Sequence, residues 1–372
     1  MNRVSVVLLL TGALLLAGAL LLLGTAIAWA SSPVPVPTVI ASFDQSPAFA
    51  ESLTGGLQPT VLTTLPHGDG GAFAESMAAD SHGNLYVSTT LWAVTDVGDN
   101  TGELWRVAPD GDKTLVATMD LSPYGMLVGV AVDGSDRVYV AVYDFSAEYG
   151  VPDSGIGGSG IFRLDAELKL TRVALLPPGS WPNGIAFHKG RLYISDSARG
   201  AIWRVSVGDR VATPTSPWFQ DALLTPTKVL GINGIAFKGE VLYAVVYDVG
   251  RVVRIPLKSD GTPGTPSVLC KRPELKTGDG IAFDVLGRLW ITTNGVSANP
   301  AGALYRVSSA GATTEVFDDP AWLNYPTMPV FGRTMATATT LFVANGAYNG
   351  FYDGSSPDII SLQVGVPGLP LR

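Results

Sequence analysis

The chain has 372 residues, 43 of them glycine and 26 proline, and only 15% of its side chains are charged. That composition suits many strands joined by turns and excludes a long coiled coil or a disordered chain. A net charge of -8, three histidines and one cysteine leave no basic block and no zinc-finger spacing. Nucleic acid is thereby excluded as a partner and a disulfide framework as the source of stability.

The first element is a leader. Asn2-Arg3 gives a short positive start, and no charged residue follows from Val4 to Ala30. Ala28-Trp29-Ala30 offers small residues where a signal peptidase would cut. The apolar run is also long enough for a transmembrane helix. Residues 1–30 are therefore read as a signal peptide or a membrane anchor. Either way the rest of the chain is exported, and it is secreted or held outside on the membrane. Residues 31–59, beginning SSPVPVP, form a spacer and N-terminal extension.

From residue 60 to 365 the sequence repeats itself. A motif of a small residue, Ile-Ala-Phe or a variant, a short turn, and Leu-Tyr-Val appears as ESMAADSHGNLYVS, VGVAVDGSDRVYVA, NGIAFHKGRLYIS, NGIAFKGEVLYAV and DGIAFDVLGRLWIT. A weaker sixth copy is read as VFGRTMATATTLFVA. Its aligned aromatics are Tyr86, Tyr139, Tyr193, Tyr243, Trp290 and Phe342, spaced at about 50 residues. A third alternating segment follows each copy: GELWRV, GIFRLD, GAIWRV, GRVVRI, GALYRV and, more loosely, DIISLQ. A fourth follows in most: TLVATM, TRVALL, TKVL, PSVLC and TEVF. Alternation of period two marks half-buried antiparallel strands. Four strands in about 50 residues make one propeller blade, so the expected fold is an all-β, six-bladed β-propeller. The sixth unit lacks a fourth strand, and Thr60–Leu65 is expected to supply it and close the ring. Residues 366–372 remain as a C-terminal tail. Cys270 falls in a strand and is read as a packed residue, and His67, His82 and His188 as structural or solvent-facing.

Three longer segments interrupt the repeats: 91–102, the glycine-rich 144–160, and 345–357. By length they are loops of the kind that overhang a site. Trp92 and 144–160 are the expected lid.

In a propeller the first strand of each blade lines the central channel. The residues opening these strands are Glu75, Val128, Asn183, Asn233 and Asp279, each followed by Ser or Gly. Rotation about the ring would bring Glu75, Asn183, Asn233 and Asp279 together. Four oxygen-bearing side chains, two of them charged, suit calcium (Ca2+), with magnesium or manganese as the smaller alternatives. The Asn-Gly and Asp-Gly pairs are also ordinary turn dipeptides.

Trp181-Pro182-Asn183-Gly184-Ile185-Ala186-Phe187, with Leu192-Tyr193-Ile194-Ser195-Asp196-Ser197, and Gly278-Asp279-Gly280-Ile281-Ala282-Phe283, with Gly287-Arg288-Leu289-Trp290, resemble the senescence marker protein/gluconolactonase/luciferin-regenerating-enzyme-like family. More distantly the chain resembles diisopropyl-fluorophosphatase, the paraoxonases and strictosidine-synthase-like proteins. The resemblance implies a calcium-dependent six-bladed propeller with Glu75, Asn183, Asn233 and Asp279 as ligands. It departs at Ser76-Met77, where the family has Gly-Pro.

The function implied is hydrolysis of a lactone or ester, with Asp279 as base or nucleophile. Trp181, Tyr143, Asp144, Asp196, Tyr247, Asp248, Asn294 and Asn345 are the expected pocket residues. The partner is a small molecule, and the protein is expected to be a monomer. A non-catalytic binding or scaffold propeller with a structural calcium, and a synthase or isomerase, are the alternatives. Redox chemistry lacks a haem motif, a Cys/His cluster or a dinucleotide fingerprint.

Overall fold

The repeat starts at a hairpin whose turn an aspartate sets. Asp80 Oδ1 accepts the backbone N–H of His82 and of Asn84, both at 2.9 Å. In blade two Asp133 Oδ1 accepts the N–H of Ser135 and of Arg137, in blade five Asp284 Oδ1 accepts that of Arg288, and each aspartate takes a further 2.6 Å bond from the Nε of the arginine four residues on, Arg137 or Arg288. The aromatic of the following strand joins in: Tyr139 Oη and Trp290 Nε1 donate to these carboxylates at 3.0 and 2.9 Å. A short aspartate thus fixes the turn, the arginine stem and the first ring of the next strand.

The computed structural model describes residues 57–67, 71–92, 100–150, 155–208, 210–295, 302–348, 350 and 354–369. Thr60–Thr64 is β1. Ala72–Ala79 (β2), Leu85–Leu91 (β3), Thr101–Val107 (β4) and Lys113–Asp120 (β5) make blade one. Gly125–Val132 (β6), Val138–Asp144 (β7), Gly160–Leu164 (β8) and Leu170–Leu175 (β9) make blade two. Pro182–His188 (β10), Arg191–Asp196 (β11), Ala201–Ser206 (β12) and Phe219–Gln220 (β13) make blade three. Ile232–Lys238 (β14), Val241–Val246 (β15), Arg251–Pro256 (β16) and Ser267–Lys271 (β17) make blade four. Gly278–Phe283 (β18), Leu289–Thr293 (β19), Ala303–Val307 (β20) and Thr313–Phe317 (β21) make blade five. Pro326–Phe331 (β22), Thr340–Asn345 (β23) and Asp358–Gln363 (β24) make blade six, which β1 completes antiparallel to β24. The expected six-bladed propeller, closed by an N-terminal strand, is the fold found.

The core lies between blades. Trp290 on β19 is fully buried and meets Phe331 of blade six edge-on, with centroids 5.9 Å apart. Leu341, Val343, Ile360 and Leu362 complete that interface. Each such buried aliphatic stabilises by about 1.5–3 kcal/mol. Cys270 packs in the same way at the next interface, and burial raises its thiol pKa.

Three expectations need correction. The segment 227–230 is not the fourth strand of blade three; the two-residue β13 is. The Asp248 carboxylate accepts the backbone N–H groups of Thr227, Lys228, Val229 and Leu230 at 2.5 to 3.2 Å, so those donors turn to a charge rather than to a ladder. The inner strand of blade six is Pro326–Phe331, not the stretch after it. Two prolines disguise it, yet the strand is the channel-side edge of its sheet, where missing N–H groups are tolerated. The transmembrane helix is the third: among the described residues no helix is long and apolar enough to cross a membrane. The segment 1–30 on which that reading rested lies outside the described residues, as do parts of the three long loops.

Candidate functional site

All six inner strands break register with their neighbour at one level. The shifts fall at Ala74/Ser76, Leu127/Val130, Pro182/Ile185, Ile232/Ile235, Gly278/Ile281 and Pro326/Met328. A bulge leaves a residue out of the ladder and re-aims its side chain. The residues so placed include Glu75, Val128, Asn183, Asn233, Asp279 and Thr327. Glu75 is the fourth residue of its strand, not the first.

The bulges touch around the ring. A Cβ on Gly129 would lie 2.0 Å from the carbonyl oxygen of Asn183, and one on Gly234 would lie 2.2 Å from that of Asp279. Only glycine allows backbones this close. Gly184 and Gly280 make the same approach to Asn233 and Thr327. Hydroxyls on the second strands bond the carbonyls: Ser88 to Val128 at 2.6 Å, Ser195 to Asn233 at 2.7 Å and Thr292 to Thr327 at 2.7 Å. Thr327 Oγ1 reaches the carbonyl of Ala74 at 3.2 Å and closes the circle.

Asn183, Asn233 and Asp279 are 6%, 2% and 4% exposed, and Glu75 is part-buried. Asn294 Nδ2 donates to Asp279 Oδ2 at 2.9 Å and to the Pro326 carbonyl at 3.1 Å. Asn233 also bonds Asp279, while its own Oδ1 is buried and accepts no hydrogen bond. The Tyr348 hydroxyl donates to Glu75 Oε2. Burial pushes the Glu75 carboxyl up to about 7 against that hydrogen bond. Burial and then the Glu75 charge raise Asp279 well above the usual carboxylate range. Tyr247 and Tyr348 are raised by burial and by the charges of both carboxylates.

This donor set fits a divalent hard cation. Two carboxylates that burial and mutual repulsion disfavour gain from a positive charge between them. The unbonded Asn233 amide oxygen is a ligand without a donor, and calcium takes roughly six to eight such oxygens. Among the described residues no three His, Cys, Asp or Glu side chains gather, so the set is half carboxamide and lacks the ligands softer metals prefer.

The other expected pocket residues divide. Tyr247 and Asn294 stand by the carboxylates, as above. Trp181 stacks on Tyr143 at 4.5 Å, and the Tyr143 hydroxyl donates to Glu148. Asp196 is an anchor: it accepts the N–H of Trp181 at 3.1 Å and the Trp203 indole at 2.9 Å. Asp144 holds its own loop through Ser146 and Gly158 N–H, at 3.1 and 2.9 Å. Asp248 holds 227–230. Asn345 accepts from Asn324 N–H and donates to Trp322 O and Asp358, all within 3.1 Å. Sequence reasoning missed Thr327 and Tyr348. Tyr325-Pro326-Thr327 parallels Trp181-Pro182-Asn183, which would have revealed the first. No local pattern marks Tyr348.

No protein-family model matches the sequence, and no curated protein matches it. Solved structures do. Regucalcin, a calcium-binding protein of Agrobacterium tumefaciens, superposes with a TM-score of 0.57 at 22% identity, over 85% of this chain and 97% of that one. The chain shares the regucalcin fold. A gluconolactonase of Xanthomonas campestris gives 0.52 at 16%, over 92% of this chain and 98% of that one. A PQQ-bound aldose sugar dehydrogenase of Streptomyces coelicolor gives 0.51 at 18%, over 82% and 98%. At such identities the likeness carries the fold alone. A calcium binder, a lactonase and a dehydrogenase all share the fold, so the site has to choose the chemistry.

Proposed function

We propose that the protein is a calcium-dependent hydrolase of a lactone or ester, with Glu75, Asn183, Asn233 and Asp279 as the ligands. The observation that carries this reading is the buried, unbonded Asn233 Oδ1 beside two carboxylates whose ionisation the surroundings oppose. Calcium, when bound, would polarise the substrate carbonyl and stabilise the charge that develops on its oxygen.

The chain's own groups do the rest. Asn294 and Asn233 fix the Asp279 carboxylate by hydrogen bonds. Asp279 takes a proton from water as the water oxygen bonds to the carbonyl carbon. The carbon–oxygen bond of the ester then breaks, and Asp279 returns the proton to the leaving oxygen. Tyr348, from the neighbouring blade six, holds Glu75 in place. The charge-free leader of residues 4–30 supports action outside the cytoplasm.

Calcium titration of the metal-stripped protein by calorimetry tests the reading, alongside Asp279→Asn and a panel of lactones and esters. Binding and turnover in the wild type, with turnover lost in the variant, are the expected result. Absence of calcium binding would reduce Asn183, Asn233 and Asp279 to turn residues. Binding without turnover across the panel would favour a structural ion.

A further inference from the structure

The channel mouth is lopsided. On one side stand Asp279, Asn233, Asn294 and Tyr247. On the other, aromatic rings follow one another in an unbroken arc across four blades. Trp181 stacks on Tyr143 at 4.5 Å and 12°; Tyr143 meets Phe145 at 5.2 Å, and Phe145 meets Trp92 at 6.5 Å. Trp92 meets Phe73 at 5.9 Å, Phe73 meets Tyr348 at 5.4 Å, and Tyr348 meets Tyr325 at 5.4 Å.

The fold explains why they share one face. Trp181 and Tyr325 lie just before inner strands, at the end where those strands begin. Trp92, Phe145 and Tyr348 lie just after second strands, which run antiparallel and finish at that same end. Phe73, Tyr143 and Phe145 are buried beneath, while Trp181, Trp92 and Tyr348 are part-exposed on top of them. The Tyr348 hydroxyl on Glu75 fastens the arc to the candidate ligands. Among the described residues no cationic side chain figures in the charges acting on Glu75, Asp279, Tyr247 or Tyr348.

We propose that the substrate carries an aromatic ring beside its reacting carbonyl, and that this ring packs on the wall of Trp181, Trp92 and Tyr348 while the carbonyl faces Asp279. The proposal rests on the hydrolase reading for the reacting group alone. Flat rings gain on such a wall through offset stacking and edge contacts as well as burial. Among the described residues no cationic side chain acts on Glu75 or Asp279 to favour an anionic group beside them.

The test uses two five-membered lactones that differ only in a phenyl or a methyl substituent, and their two lactams, which do not turn over. Binding of the lactams to the calcium-loaded protein is read by tryptophan fluorescence, and turnover of the lactones separately. The phenyl lactam should bind about tenfold more tightly than the methyl lactam. That preference should fall toward unity in Trp181→Leu, or in Trp92→Leu where the first variant does not fold. Equal affinities, binding of neither lactam, or a preference that survives both substitutions would overturn the proposal. A phenyl preference in the lactams with no turnover of either lactone would uphold the wall and reject the hydrolase. Turnover of both lactones with no phenyl preference would do the reverse.

Discussion

Asn294 and Tyr348 each hold one of the two carboxylates, which makes them residues that position the candidate ligands. Asn294 holds Asp279 at 2.9 Å, and Tyr348 holds Glu75. Losing an outer hydrogen bond to a metal ligand costs about 10- to 100-fold in affinity. Asn294→Ala and Tyr348→Phe should each weaken calcium binding by that order, measured by calorimetry, with the melting profile of the metal-free protein little changed. The Glu75 carboxyl, raised from 4.5 to about 7, adds a pH signature. Between those values the folded, metal-free protein holds a proton that the unfolded chain has lost. Its stability therefore falls as pH rises through that window. Calcium must displace the same proton, so its affinity should rise with pH through that window. Calorimetric titrations at a series of pH values in buffers of different ionisation heat would show the released proton; a flat profile would remove Glu75 from the ligand set.

At the scale of the element, blades one, three and five differ from their neighbours. Ser88, Ser195 and Thr292 on their second strands bond the ring carbonyl of the next blade, while the corresponding residues of the even blades are Ala141, Val245 and Ala344. Each hydroxyl ties an inner strand across a blade boundary, so the bulge is held from two sides. Ser195→Ala should cost about 1 kcal/mol in denaturant unfolding, the usual worth of one buried hydrogen bond. The loop 227–230 depends on a single carboxylate. Asp248→Asn replaces one of its acceptor oxygens with a donor facing N–H groups, and should destabilise by about 2 kcal/mol. Unchanged unfolding midpoints in these variants would show that the surrounding strands hold the geometry unaided.

The whole molecule is a ring, and its stability depends on closure. β1 pairs with β24 from Thr60 opposite Ser361 to Thr64 opposite Asp358, so a segment from the start of the repeat region completes the last blade. Removing residues 1–64 would leave β24 as a bare edge able to pair with another chain. The truncated protein should aggregate or lose its cooperative transition, read by light scattering and calorimetry. A monomeric, cooperatively melting truncation would show that five full blades and a three-stranded sixth suffice. Closure also makes the site: Glu75 and Asp279 act on one another only because the sixth blade brings the first back beside the fifth.

The sequence by itself determined the blade count, the closing strand and the four oxygen-bearing residues of the ring. Strand alternation and turn residues are local signals, and repetition multiplied them. It misplaced the inner strand of blade six because Pro326 and Pro329 mask alternation, and it read Thr227–Leu230 as a strand although a distant carboxylate, Asp248, captures the N–H groups a ladder would need. Only the tertiary structure decided which polar residues face the channel and which brace loops. Asp144, Asp196, Asp248 and Asn345 look like Asn294 in sequence, yet their partners make them anchors. It also decided the aromatic arc, whose rings come from four blades. A side chain's role at such a site is set by what lies across the ring from it, and that neighbour is far away in the chain.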